Sequence, residues 1–117
     1  MDGTYFLLIS LLVLAGMVVL PIFTGAPWHP LMPKTIKRIL NFADIRPGET
    51  LCDLGCGEGR VLITAAKDYS AKGIGVEIDP IKVGVARLLA KWKKVDTQVR
   101  IMRGNFYDFD PAEADVV

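Results

Sequence analysis

Asp53-Leu54-Gly55-Cys56-Gly57-Glu58-Gly59 joins two segments of different periodicity. Before it, Thr50–Leu54 is short and apolar, the pattern of a buried strand. After it, Arg60–Tyr69 places Val61, Leu62, Ala65 and Ala66 on one side, the pattern of a helix packed on a sheet. Three glycines at alternate positions let the backbone turn sharply and bring it close to a ligand without Cβ atoms in the way. A dinucleotide loop would read G-x-G-x-x-G, with the helix N-terminus aimed at a pyrophosphate. The sixth position here is Arg60, so that fingerprint is not met, which argues against a dinucleotide-dependent oxidoreductase.

Working outward, the alternation of strands and helices continues on both sides. Residues 34–43 carry Ile36, Ile39, Leu40 and Ala43 at helical spacing, and Arg46-Pro47-Gly48-Glu49 is a turn. Residues 73–78 form a second apolar strand, and Pro80 opens a helix reaching about Lys94, with Asp79 as its N-cap. Residues 99–102 alternate into a third strand, and Asp115-Val116-Val117 begins a fourth. Strands alternating with helices predict an α/β fold, a Rossmann-like doubly wound parallel sheet. Ligands of such sheets sit beyond the carboxyl ends of the strands, where the glycine loop falls.

Two carboxylates mark that edge. Asp53 ends the first strand, and Glu77, in Gly75-Val76-Glu77-Ile78-Asp79, ends the second, 20 residues after Gly57. A carboxylate at the second site can accept hydrogen bonds from both hydroxyls of a ribose; the competing view is a solvated charge at a strand end. The pattern D-x-G-x-G-x-G suits a cation better than a phosphate. S-adenosyl-L-methionine carries an ammonium and a sulfonium and no phosphate, and Asp53 is placed to serve its amino-acid portion, directly or through water. Ile78 covers one face of an adenine in this reading.

On these motifs, residues 36–117 resemble the class I, Rossmann-like, S-adenosylmethionine-dependent methyltransferases. DLGCGEG is similar to the family's first motif and GVEID to its acidic second motif. The resemblance implies S-adenosyl-L-methionine as cofactor. It places Asp53, Gly55, Gly57 and Gly59 at the methionine portion and Glu77 at the ribose, with Cys56 among the cofactor-binding residues. Gly104-Asn105 stands where the family has an acidic residue on the adenine amino group, and the Asn105 carbonyl can accept the same hydrogen bond. Phe106 lies against the adenine ring or in the core. The reaction implied is direct displacement at the methyl group, with no metal; no catalytic residue is identifiable.

The resemblance also implies about seven strands, the fourth beside the first. The chain is therefore expected to be an incomplete sheet, truncated at the fourth strand, whose first strand is a poorly protected edge. Such a chain alone would bind cofactor weakly and not turn over. A membrane-tethered scaffold without catalysis is the alternative function.

Composition divides the 117 residues in two. The chain is 51% hydrophobic, with a mean hydropathy of +0.35. Yet from residue 3 to residue 33 there is no Asp, Glu, Lys or Arg, and only His29 can carry a charge. Residues 5–23 are an apolar run broken only by Ser10, Gly16 and Pro21, long enough for a bilayer's ~30 Å core. The absence of Lys or Arg before the run favours an uncleaved anchor over a signal peptide, although Thr24-Gly25-Ala26 offers small residues to a peptidase. Lys34, Lys37 and Arg38 follow the span, so a single-pass membrane protein is expected with its C-terminal domain facing the cytoplasm. Tyr5 and Trp28 suit the two interfaces, and Pro27, Pro30 and Pro33 make a stiff spacer. The domains are thus an anchor and spacer over 1–33 and a cofactor-binding unit over 34–117.

The combination of anchor, methyltransferase motifs and GEGRVLITAA resembles the membrane-anchored protein-lysine methyltransferases of mitochondria and their prokaryotic relatives. That implies a protein lysine as acceptor, while a small molecule or a lipid stays open. A net charge of +1 without a basic tract argues against nucleic acid. Cys52 and Cys56 lack the spacing and the histidines of a zinc site and read as small residues in a reduced compartment. Lys91, Lys93 and Lys94 around Trp92 read as a solvated helix end, with anionic lipid as the competing contact.

Overall fold

A computed structural model describes residues 2–24 and 31–117. The apolar leader is a helix, α1 (Gly3–Thr24), whose side chains are exposed from Gly3 to Leu20. Asp2 caps it, its Oδ1 accepting from the amides of Thr4 at 2.9 Å and Tyr5 at 3.3 Å. Ser10 Oγ donates to the Phe6 carbonyl at 2.8 Å, which satisfies the hydroxyl inside its own helix. Gly3–Leu20 has a mean hydropathy of 2.4 and is long and apolar enough to cross a membrane. Pro27, Trp28, His29 and Pro30 lie outside the described residues.

The remainder builds one layered α/β unit from α2 (Pro33–Phe42), β1 (Thr50–Leu54), α3 (Arg60–Tyr69), β2 (Lys72–Glu77), α4 (Pro80–Trp92) and β3 (Val99–Arg103). Two single-turn 3-10 helices follow, at Phe106–Asp108 and Pro111–Glu113. The three strands form a parallel sheet in the order β1-β2-β3. Val116 bridges Leu51 on the other side of β1, where the Cys52 amide donates to the Val116 carbonyl at 2.8 Å. The fourth segment therefore lies beside the first, as expected. Asp115 secures it: its Oδ2 accepts from the Thr50 amide at 2.8 Å, and its own amide donates to the Thr50 carbonyl at 2.8 Å.

Pro33 does more than space the leader, because it takes the first helical position of α2, where a missing N–H costs nothing. Ile36 and Leu40 of α2 are buried against α3, whereas Ile39, counted in the same stripe, is exposed. Leu62 and Ala65 of α3 are completely buried over β1 and β2. Val83, Ala86 and Ala90 of α4 close the core over β2 and β3. Asp79 caps α4 as expected, its Oδ1 accepting from the Ile81 amide at 2.9 Å.

Candidate functional site

The site is assembled where β1 and β2 end. The chain leaves Leu54 through Gly55 at φ 76°, Gly57 at φ 57° and Gly59 at φ 75°, all left-handed. The amides of Gly55 and Cys56 both donate to the Val76 carbonyl, at 2.8 and 3.1 Å, and so latch the turn to the end of β2. The Gly59 amide then donates to the Cys56 carbonyl at 2.9 Å, and its carbonyl accepts from Ile63 at 2.9 Å to start α3. A Cβ at Gly55 or Gly57 would meet nothing within 4 Å, so the turn faces open space. At Gly59 it would touch Ala86 and Ile101 at 3.4 Å, so that glycine packs the start of α3 against α4 and β3.

The two carboxylates sit on adjacent strands at the same edge. Asp53 is in register with Gly75, two residues before Glu77. Burial, and after it the nearby Glu77 charge, push the Asp53 carboxyl up to about 6. No described group donates a hydrogen bond to it. An acid so placed is stabilised by any cation that enters the turn. Glu77 is only 8% exposed, which overturns the view of it as a solvated strand-end charge. Its Oε2 accepts from the Ile78 amide at 3.1 Å, and its backbone carbonyl accepts from Gly104 at 3.0 Å. Ile78 beside it is 51% exposed and so presents an apolar surface at the strand end.

Cys56 faces inward. Burial and the charges of Asp53 and Glu77 push its thiol up to about 12, so at neutral pH it is a packed, protonated group and not a nucleophile. Asn105 is exposed, and its Oδ1 accepts from the Tyr107 amide at 3.0 Å, capping the 3-10 turn. One lone pair of that carbonyl is thus engaged and the second remains for a ligand. Phe106 is 41% exposed, its ring centroid 4.5 Å from that of Tyr107, which removes the core reading of this residue. Arg60 pairs with Glu58 at 2.9 Å and takes no part in the edge.

The sequence reading missed Gly73 and Gly75. A Cβ on Gly75 would come within 2.7 Å of both Cys56 Sγ and Leu62 Cδ1, and one on Gly73 within 3.1 Å of Leu62. Their spacing of two was the available signal, since alternate residues of a strand share a face.

Comparison with known proteins finds methyltransferases. The model of the ANTKMT methyltransferase domain matches residues 53–117. A protein-lysine N-methyltransferase of Saccharolobus islandicus is 38% identical over 92 residues, which cover 78% of this chain and 57% of that protein. A ribosomal protein L11 methyltransferase of Alkaliphilus oremlandii is 41% identical over 68 residues, 58% of this chain and 22% of that one. Among solved structures, an RNA methyltransferase from Salinibacter ruber in complex with S-adenosyl-L-homocysteine matches with a TM-score of 0.72 and 38% identity. That match covers 74% of this chain and 56% of the other. The matches thus span little more than half the length of the Saccharolobus and Salinibacter proteins and about a fifth of the Alkaliphilus one.

Proposed function

Since the chain belongs to the family of the ANTKMT methyltransferase domain and has its class I fold, we propose that it binds S-adenosylmethionine and serves methyl transfer to a protein lysine at a membrane. The observation that carries the cofactor reading is the pair of acids, Asp53 and Glu77, flanking a glycine turn that opens to solvent. Asp53 has no donor among the described residues and is raised by burial, so an ammonium beside it relieves an unfavourable charge. Glu77 is held by the Ile78 amide through one oxygen, which leaves acceptor capacity for two ribose hydroxyls. Gly55, Gly57 and the backbone of Cys56 give the methionine portion room to lie against the main chain. Ile78 and Phe106, both exposed, and the free lone pair of Asn105 are assigned to the adenine.

When bound, the cofactor supplies an activated methyl group whose departure needs no covalent help from the protein. This chain's own residues bind, orient and shield it. Lysine as acceptor is supported by the protein-lysine N-methyltransferase of Saccharolobus islandicus. The length and hydropathy of α1 support the anchor, and the basic residues Lys34, Lys37 and Arg38 after it favour a cytoplasmic side for the unit. The division into an anchor over 1–33 and a cofactor unit over 34–117 belongs to the same proposal.

Titration of the detergent-solubilised chain with S-adenosylhomocysteine by calorimetry tests the reading, with NAD and Glu77→Ala as controls. The expected result is binding to the parent, loss of at least about tenfold in the variant, and no response to NAD. A folded chain that ignores S-adenosylhomocysteine would leave a membrane-tethered scaffold.

A further inference from the structure

α4 carries two unrelated surfaces. One buries Val83, Ala86 and Ala90 in the core. Opposite it, Ile81, Val85, Leu88 and Trp92 recur at i, i+4, i+7 and i+11 and form an apolar stripe in open solvent. Leu88 is 71% exposed and Trp92 73%, which is unusual for two large apolar side chains on one helix face. Residues 80–95 contain Lys82, Lys91, Lys93 and Lys94 and no acid, with Asp79 and Asp96 just outside, while Arg87 is turned inward onto the Ile101 carbonyl. Lys93 Nζ lies 4.8 Å from the centre of the Trp92 ring, which groups the charge and the aromatic at one end.

We infer that this face of α4 is a docking surface for an anionic phospholipid bilayer, which holds the α/β unit down against the membrane that α1 enters. The inference rests on the proposed anchoring. An apolar stripe with Trp and Leu, flanked by lysines, is the pattern of a helix that lies in a membrane interface. Each lysine near an anionic surface adds attraction of a kind no uncharged partner supplies. A second copy of α4 is disfavoured, because pairing two such faces sets like charges against each other. Reach is sufficient. Leu31 is seven residues beyond Thr24, at most about 25 Å of chain. Leu31 and Pro33 line, with Trp92 and Lys93, a cleft of about 330 Å³ where the stripe ends. The stripe therefore finishes beside the segment that arrives from α1.

The test uses the full chain with Trp28→Phe, which leaves Trp92 as the single tryptophan, in phosphatidylcholine vesicles with and without phosphatidylglycerol. Flotation first reports whether the chain enters vesicles at all. Quenching of Trp92 by brominated acyl chains then reports docking. The expected result is flotation with both lipids and quenching about threefold or more stronger with phosphatidylglycerol, reduced by salt. Lys91→Glu with Lys93→Glu and Lys94→Glu, and separately Leu88→Ser, should each abolish that gain while the melting temperature holds. Flotation with no lipid-dependent quenching overturns the docking surface and leaves the anchor standing. Failure to float removes the anchor and this inference with it. Efficient cross-linking of Leu88→Cys chains into dimers would assign the face to a second copy and overturn the inference as well.

Discussion

Glycine occurs at two places around the site for opposite reasons. In the turn after β1, Gly55 and Gly57 have left-handed backbones and nothing within 4 Å of where a Cβ would stand. In β2, Gly73 and Gly75 have ordinary extended backbones, and the space a Cβ would need is filled by Leu62 and Cys56. The first pair is required by conformation and leaves room on the outside. The second is required by packing and leaves none on the inside. One residue type thus brings α3 down onto β2 and keeps the backbone above it bare. Substitution should therefore damage the fold at one place and the site at the other.

The largest effect is expected at Gly75. Gly75→Ala puts a methyl within 2.7 Å of Cys56 Sγ and Leu62 Cδ1 and 3.0 Å of Ile101 Cδ1. Three neighbours must move in a core where Leu62 is completely buried, so a loss of about 1–3 kcal/mol is expected. Thermal or denaturant unfolding of the chain in detergent measures it, and an unchanged midpoint would mean α3 can shift at little cost. Cofactor affinity should fall only as far as the fold is lost.

At Gly57 the balance reverses. Gly57→Ala meets no neighbour, and its penalty is the left-handed backbone, about 1 kcal/mol. If the turn cradles the methionine portion, the added methyl stands in the ligand's space. S-adenosylhomocysteine affinity should then drop by about tenfold or more, beyond what the stability loss explains. Equal affinity in a slightly less stable protein would move the ligand away from this turn.

The asymmetry between the two places was half legible in the sequence. DLGCGEG between a strand pattern and a helix pattern announces a turn, and the alternation that follows fixes a parallel sheet with its ligand edge there. Asp53 and Glu77 stood out as candidates because a carboxylate at a strand end is a local pattern. The burial of Glu77 was not visible, since it depends on β3 and on Gly104 folding over the strand end. Nor was the tight fit of Gly73 and Gly75 under Leu62, a contact between residues that only the fold brings together. Phe106 shows the limit from the other side. Its hydrophobicity suits a core, but the 3-10 turn capped by Asn105 leaves it in the open.

The smallest effect, and the most informative about the empty side of the turn, concerns Asp53. Its carboxyl is raised from 3.8 to about 6, so between those values the folded chain holds a proton that the unfolded chain has lost. Asp53 therefore costs the fold stability as pH rises from about 4 to 6, and the whole cost is present above that. Asp53→Asn should remove this slope and make the ligand-free protein more stable at pH 7, by about 1 kcal/mol after solvent screening. A ligand ammonium beside Asp53 favours the ionised acid. S-adenosylhomocysteine affinity should accordingly rise from pH 5 to 7 in the parent, with a proton released on binding at the acid end. In Asp53→Asn it should be weaker and flat over that range. A variant that is more stable and yet binds as tightly as the parent would separate Asp53 from the ligand. A variant that gains stability while losing affinity would show that the strained acid is kept for the cation it receives, as the open glycine turn beside it is kept for the rest of the molecule.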